Sequence, residues 1–116
     1  MDYTINDSER YVPALMGNDK EALPIAFNLR YLTVKDQDEM EYYEVVSVKG
    51  SRVNMKTNWA DTFRRGVVSI ENLKVNGKEI KTAEEYMVIR GSKKLTSLMQ
   101  DVALRIKEAS EIDEKN

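Results

Sequence analysis

The stretch LPIAFNLRYLTVKDQDEMEYYEV, residues 23–45, joins a strand pattern to a helix pattern and so decides the fold class. Over residues 25–32, apolar and polar side chains alternate, which predicts a strand with one buried face. Thr33 followed by Asp36 resembles a capping box, the usual start of a helix. Apolar side chains then recur at helical spacing, which predicts a helix as far as about Val48. A strand that runs into a helix predicts an α+β fold.

The segment before this stretch predicts an N-terminal β-hairpin. Two apolar runs flank GNDKEA, residues 17–22, and its Gly-Asn-Asp start suits a turn or short loop. Pro13 and Pro24 cannot donate ladder hydrogen bonds, so they belong at strand starts or on an edge strand. Residues 1–9 are polar, and we expect them to form a flexible N-terminus.

The third segment predicts an amphipathic helix. Asn58 is a candidate N-cap with Asp61 three residues later. The apolar side chains that follow at helical spacing are Trp59, Phe63, Val67 and Ile70. Gly66 costs this helix about 1 kcal/mol relative to alanine. Its presence indicates either the close approach of a neighbouring element or simple tolerance.

A small hairpin and a short helix come next. Asn76-Gly77 is a strong signal for a type I′ turn between two short strands. Thr82 and Glu85 form a second capping box, which predicts the start of a helix. Gly91 can end that helix in the left-handed conformation.

The last helix has the longest apolar stripe in the chain, and Ser92 can cap its start. The stripe consists of Leu95, Leu98, Met99, Val102, Ile106 and Ala109. Residues 111–116 form a charged C-terminal tail. The whole pattern predicts a single α+β domain over residues 10–110, in which the N-terminal hairpin packs with about four α-helices and a small second hairpin.

Composition weighs against several classes of function. The chain has 116 residues, no histidine, no cysteine and a net charge of −2. The charge removes the long-range attraction to phosphate on which nucleic-acid binders rely. Histidine and cysteine supply the commonest general base, nucleophile and metal ligands, and no catalytic motif is present. We therefore expect a soluble, non-catalytic protein with no cofactor and no nucleic-acid or membrane partner.

The acidic run DQDEMEYYE, residues 36–44, is a candidate metal site that fails on spacing. A calcium-binding EF-hand loop needs glycine at position 6 and glutamate at position 12. Counted from Asp36, those positions hold Glu41 and Ser47. On a helix, only residues three or four apart face each other, so these carboxylates spread around the circumference. We interpret the run as a solvated helix face and predict no metal site.

Charge is nevertheless segregated along the chain. Residues 35–44 carry one lysine and five acidic residues, whereas residues 47–65 carry five basic residues and one acidic residue. The two segments either pack together and neutralise each other, or form surface patches that orient a protein partner. The candidate partner-binding side chains, for which core packing is the alternative, are Met40, Tyr42, Tyr43, Trp59 and Phe63.

Several of these pieces, in this order, resemble tail assembly chaperones of long-tailed, siphovirus-type bacteriophages. The similar stretches are YVPALMGN, IAFNLRYLT running into VKDQDEMEY, VVSIENLKVNGKEIKT, and the last helix with its acidic, Lys-Asn ending. The resemblance covers most of the chain from Tyr11 onward. The segment DKEALPIAF departs from the more acidic linker of that family.

The resemblance implies a role in the cytoplasm of the host bacterium. Such a chaperone would bind the long, apolar tape measure protein, keep it in solution and help tail tube subunits gather around it. Self-association is compatible with that role. Two alternatives stay open: a structural virion component, such as a tail or head-tail connector protein, and a small phage effector that binds a host protein.

Overall fold

The protein has an α+β fold in which a three-stranded antiparallel sheet shares one core with three helices. The structure is a computed structural model that describes residues 7–40, 43–46, 53–56 and 58–110, with only the backbone described for 43–46 and 53–56. The strands are β1 Ser8–Tyr11, β2 Ala26–Arg30, β3 Tyr43–Val46, β4 Val53–Lys56, β5 Val67–Glu71, β6 Lys74–Val75 and β7 Lys78–Glu79. The α-helices are α1 Val34–Glu39, α2 Trp59–Gly66, α3 Ala83–Met87 and α4 Lys93–Ser110. The predicted fold class is confirmed.

Strands β1 and β2 are antiparallel neighbours, as the hairpin prediction requires, but they are joined by a long connection. Ser8 pairs with Arg30 and Tyr11 pairs with Phe27. Strand β1 begins at Ser8, within residues 1–9 that were expected to form a flexible N-terminus. Residues 12–25 connect the strands and include the 3₁₀ helix Leu15–Lys20.

Helix α1 begins as predicted and ends earlier. The Asp36 N–H donates to Thr33 Oγ1 at 3.0 Å, and the Thr33 N–H donates to Asp36 Oδ2 at 3.0 Å, which completes the capping box. The predicted continuation to Val48 is wrong, because the helix ends at Glu39 and Met40 is extended. The β-branched and aromatic residues that follow favour a strand, and β3 pairs with β4 in a separate two-stranded sheet.

Helix α2 also begins at its predicted cap, with the Asp61 N–H donating to Asn58 Oδ1 at 3.0 Å. The predicted extension of this helix through Val67 and Ile70 is wrong, because the chain enters β5 directly after Gly66 and pairs with β2. At Gly66, the close-approach interpretation is confirmed. A Cβ atom there would lie 2.5 Å from Ile106 Cδ1.

The small hairpin and the cap of α3 are confirmed. Asn76 and Gly77 have φ values of 52° and 79°, so both central residues of the turn between β6 and β7 are left-handed. The capping box of Thr82 and Glu85 is complete. The predicted left-handed role of Gly91 is wrong, because α3 ends at Met87 and the described glycines with positive φ are Gly17 and Gly77.

Helix α4 lies against α2 and β2 and supplies much of the core. Its predicted cap is present, since the Leu95 N–H donates to Ser92 Oγ at 3.1 Å. Its most buried side chains are Leu98, Val102, Ala103, Ile106 and Ser110. Beside them, the rings of Phe27, Phe63 and Tyr86 form an aromatic cluster with centroids 5.0 to 6.3 Å apart.

Candidate functional site

The five candidate partner-binding side chains do not share one described surface. Phe63 is fully buried in the aromatic cluster, which is the core alternative, and Met40 is also buried. Trp59 is partly buried and packs against the core. Tyr43 lies in β3, where only the backbone is described, and Tyr42 lies outside the described residues. A partner that docks on the folded surface does not reach Phe63 or Met40.

The acidic and basic segments meet in an ion-pair network between α1 and α2. Arg65 on α2 contacts Asp36 and Glu39 of the acidic segment at 3.1 Å each, and Asp61 at 3.2 Å. Asp36 also accepts a hydrogen bond from Arg30 at 2.9 Å. These contacts agree with the interpretation that the two segments pack together and neutralise each other.

The resolved pKa shifts all stabilise the usual charge state of each group. Hydrogen bonding to Arg30 holds the pKa of Asp36 well below its ordinary value, with further contributions from Thr33 and Arg65. Burial raises the pKa of Tyr11 to about 12, and its hydrogen bond to Asp101 acts in the same direction. Carboxyl pKa values that fall and tyrosine pKa values that rise move away from neutrality, whereas proton-transfer catalysis needs pKa values near the working pH. These shifts therefore indicate structural roles.

Within the described ranges, the structure has neither a cluster of metal ligands nor an unsatisfied buried polar group that would indicate a binding site. No group of three or more acidic, histidine or cysteine residues there could hold a metal ion. Every buried side-chain nitrogen and oxygen atom in those ranges has a hydrogen-bond partner. The remaining candidate for a site in those ranges is apolar surface.

An apolar groove lies at the connection between β1 and β2. It is a cleft of about 310 Å³, within the range of about 300–1,000 Å³ typical of binding pockets. We call it the β1–β2 groove, and its lining residues are Leu15, Met16, Asn18, Glu21, Leu23, Ile25 and Leu98. Met16 is 57% exposed and Leu23 is 75% exposed, although both are large and apolar. Two exposed apolar side chains beside one cleft make this groove a candidate interaction surface.

The side chain of Asn18 holds the groove in shape. Its Nδ2 donates to the carbonyl oxygens of Pro13 at 2.8 Å and Ile25 at 2.9 Å. Its Oδ1 accepts a hydrogen bond from the Ile25 N–H at 2.8 Å. This buried amide therefore satisfies three backbone groups of an irregular segment and links Pro13 to Ile25, which lines the groove.

Met16 is presented by an unusual backbone conformation. Its φ of 57° and ψ of 27° lie in the left-handed region, and Gly17 follows with φ of 73°. A residue with a Cβ atom pays roughly 1–2 kcal/mol for this conformation, so the surroundings must stabilise it. The Gly17 N–H donates to the Ala14 carbonyl at 3.1 Å, and the side chain of the next residue, Asn18, donates to the Pro13 carbonyl at 2.8 Å. The segment thus places an apolar side chain in solvent at a conformational cost.

A second, smaller cleft of about 140 Å³ lies between α3 and α4. We call it the α3–α4 cleft, and its lining residues are Tyr86, Met87, Ile89, Gly91, Leu95, Thr96 and Met99. Some large hydrophobic residues are strongly exposed in the described structure, but none of them lines this cleft. The β1–β2 groove is the stronger candidate for that reason.

The open face of the sheet carries a polar network that is satisfied internally. Arg10 contacts Glu71 through two hydrogen bonds of 3.2 Å each. Asn28 donates to Glu71 at 2.8 Å and to Ser69 at 2.9 Å. Because these groups already bond one another, they stabilise strand pairing and do not mark a binding site.

None of the helices in the described ranges is long and apolar enough to cross a membrane. Comparison of the chain with family models, curated proteins and solved structures found no match. The function is therefore inferred from the residues of the groove itself, together with the sequence patterns described above.

Proposed function

We propose that this chain is a non-catalytic protein that binds an apolar segment of another protein in the β1–β2 groove. The single observation that carries the proposal is the exposure of Met16 and Leu23 beside a preformed apolar cleft. Full burial of a leucine or methionine side chain stabilises a complex by about 1.5–3 kcal/mol. Two such side chains supply about 3–6 kcal/mol, near the lower end of the roughly 4–15 kcal/mol that association costs, so the other lining side chains must add to a weak, reversible complex.

We propose further that the bound protein is the tape measure protein of a long-tailed bacteriophage, and that the chain is a tail assembly chaperone. The support for this step is the resemblance of the sequence patterns from Tyr11 onward, which includes the groove segment YVPALMGN. A chaperone of an apolar helical protein needs an adaptable apolar surface, and methionine suits variable partners because its side chain is flexible and polarisable.

Co-expression with the tape measure protein of the same phage tests this function. We expect the tape measure protein to remain in the supernatant and to co-purify with this chain. Replacement of Leu23 by serine should reduce the recovered complex several-fold. The matched control is Val34→Ser, because Val34 is 85% exposed but does not line the groove.

A tape measure protein that stays insoluble and never co-purifies would contradict the chaperone proposal. Mass spectrometry of purified phage particles then distinguishes the structural alternative. A chaperone should be missing from the particle, whereas a virion component should be present in a fixed ratio to the tail proteins. Pull-downs that return host proteins, from a phage that forms tails without this chain, would favour the effector alternative.

A further inference from the structure

We infer that the β1–β2 groove binds an amphipathic helix whose apolar side chains are flanked by lysine or arginine. The inference rests on the proposed function, because it specifies the chemistry of the segment that the groove would hold. It adds a residue, Glu21, that selects the charge of the partner, and it distinguishes side-chain recognition from the addition of a β-strand.

The hydrogen bonds of Asn18 favour a helix over an extended segment. Strand addition requires free backbone N–H and carbonyl groups along one edge. At the groove wall formed by Ile25, both backbone groups are already bonded to the side chain of Asn18. At Ile25, recognition therefore goes through the side chain, as when the apolar face of a helix enters a groove.

The charge of the partner follows from Glu21. Glu21 lines the groove and is exposed, and its carboxylate forms no ion pair or side-chain hydrogen bond with the described residues. An apolar partner would remove water from this carboxylate without compensation, which costs free energy. A lysine or arginine beside the apolar anchors would compensate that loss. Exposed Lys20 is next in sequence but does not line the groove.

Two synthetic peptides test the inference on the full chain. Both have about 18 residues, or five helical turns, and share one leucine and methionine face. One carries lysine beside that face and the other carries glutamate. Binding is followed by NMR of ¹³C-methyl-labelled methionine, because Met16 lines the β1–β2 groove whereas Met87 and Met99 line the α3–α4 cleft.

We expect the lysine peptide to shift the Met16 methyl signal and to bind about three- to tenfold more tightly than the glutamate peptide. The difference should shrink in about 1 M salt, where charges are screened beyond roughly 3 Å. Glu21→Gln should remove most of the preference and still allow Met16 to shift. The matched control is Glu84→Gln, since Glu84 is exposed on α3 and does not line either cleft.

Three results would each overturn the inference: equal affinity for both peptides, shifts at Met87 and Met99 in place of Met16, or no binding of either peptide at millimolar concentration. A control variant that lost the preference as fully as Glu21→Gln would also overturn it. None of these results alters whether the tape measure protein co-purifies. Failure of the inference is therefore distinguishable from failure of the proposed function.

Discussion

A close contact between α2 and α4 accounts for glycine at position 66. A Cβ atom there would lie 2.5, 2.7 and 2.9 Å from three side-chain carbon atoms of Ile106. Ile106 is fully buried, and because protein cores are close-packed its side chain can move only by displacing its neighbours. The residue type at 66 is thus determined by a neighbour forty positions away in the sequence, and helix propensity alone would have favoured alanine.

Gly66→Ala should lower the free energy of unfolding by about 1–3 kcal/mol, the usual cost of overpacking a core. Urea denaturation measures the change. Adding Ile106→Val, which removes the Cδ1 atom, should make the double variant less destabilised than the sum of the two single variants. Gly91→Ala is the matched control, because a Cβ atom there meets nothing within 4 Å. A Gly66→Ala protein as stable as the wild type would refute the close-packing explanation.

Between elements, the carboxylate of Asp36 couples the start of α1 to α2 and to the end of β2. It accepts hydrogen bonds from Thr33, Arg30 and Arg65 at 2.9 to 3.1 Å. These bonds lower its pKa below the ordinary value of 3.8. A carboxyl pKa that is lower in the folded state gives stability that is present above the unfolded pKa and is lost as the pH falls through the folded pKa.

Asp36→Asn should therefore lower the free energy of unfolding by about 1–3 kcal/mol at neutral pH. It should also weaken the loss of stability that we expect of the wild type below about pH 5. Denaturation at several pH values measures both effects. The pKa values of Glu9, Glu71 and Glu85 are lowered too, so part of the acid dependence should persist. The control is Asp19→Asn, at an exposed site. If the free energy of unfolding falls with pH as steeply in Asp36→Asn as in this control and the wild type, Asp36 does not provide this coupling.

The starts of the helices could be predicted from the sequence because their caps are local. Thr33 with Asp36, and Thr82 with Glu85, place both partners three residues apart. The ends could not be predicted, because they depend on strand pairing elsewhere in the chain. The spacing of Val67 and Ile70 fitted a helix, because residues three apart in a regular strand point to opposite faces. A register irregularity in the β2–β5 pairing allows both of these side chains to be buried in β5.

The candidate site was harder to predict than the fold. Phe63 and Met40 were predicted to bind a partner because they are large apolar residues on predicted helices. Protein cores contain the same residue types, so the residue type alone does not distinguish the two roles. The groove lies instead in the connection that was predicted to be a turn. Its shape depends on a left-handed methionine and on the side-chain bonds of Asn18. A methionine before a Gly-Asn pair was the available signal, but it does not specify this backbone conformation.

Across the whole molecule, the first strand and the last helix hold the two ends of the described chain together. Arg105 on α4 forms hydrogen bonds of 2.6 and 2.9 Å with Glu9 on β1. The Tyr11 hydroxyl donates to Asp101 at 2.9 Å. The Leu32 N–H donates to Ser110 Oγ at 2.8 Å. Because these contacts join distant parts of the sequence around one core, the elements that share this core should lose their structure together.

We therefore predict a single cooperative unfolding transition, as expected for one domain over residues 10–110. Trp59 is the only tryptophan and packs against the core, so its fluorescence reports on α2, whereas far-UV circular dichroism reports on all helices.

Tyr11→Phe removes the bond to Asp101 and should lower the free energy of unfolding by about 1–2 kcal/mol. It should shift both urea midpoints equally, although Tyr11 lies on the sheet and Trp59 on α2. Val88→Ala, at a side chain that is 83% exposed, should leave both midpoints in place. Separate midpoints for the two signals, or a Tyr11→Phe effect confined to one of them, would show that the sheet and the helices do not unfold as one unit.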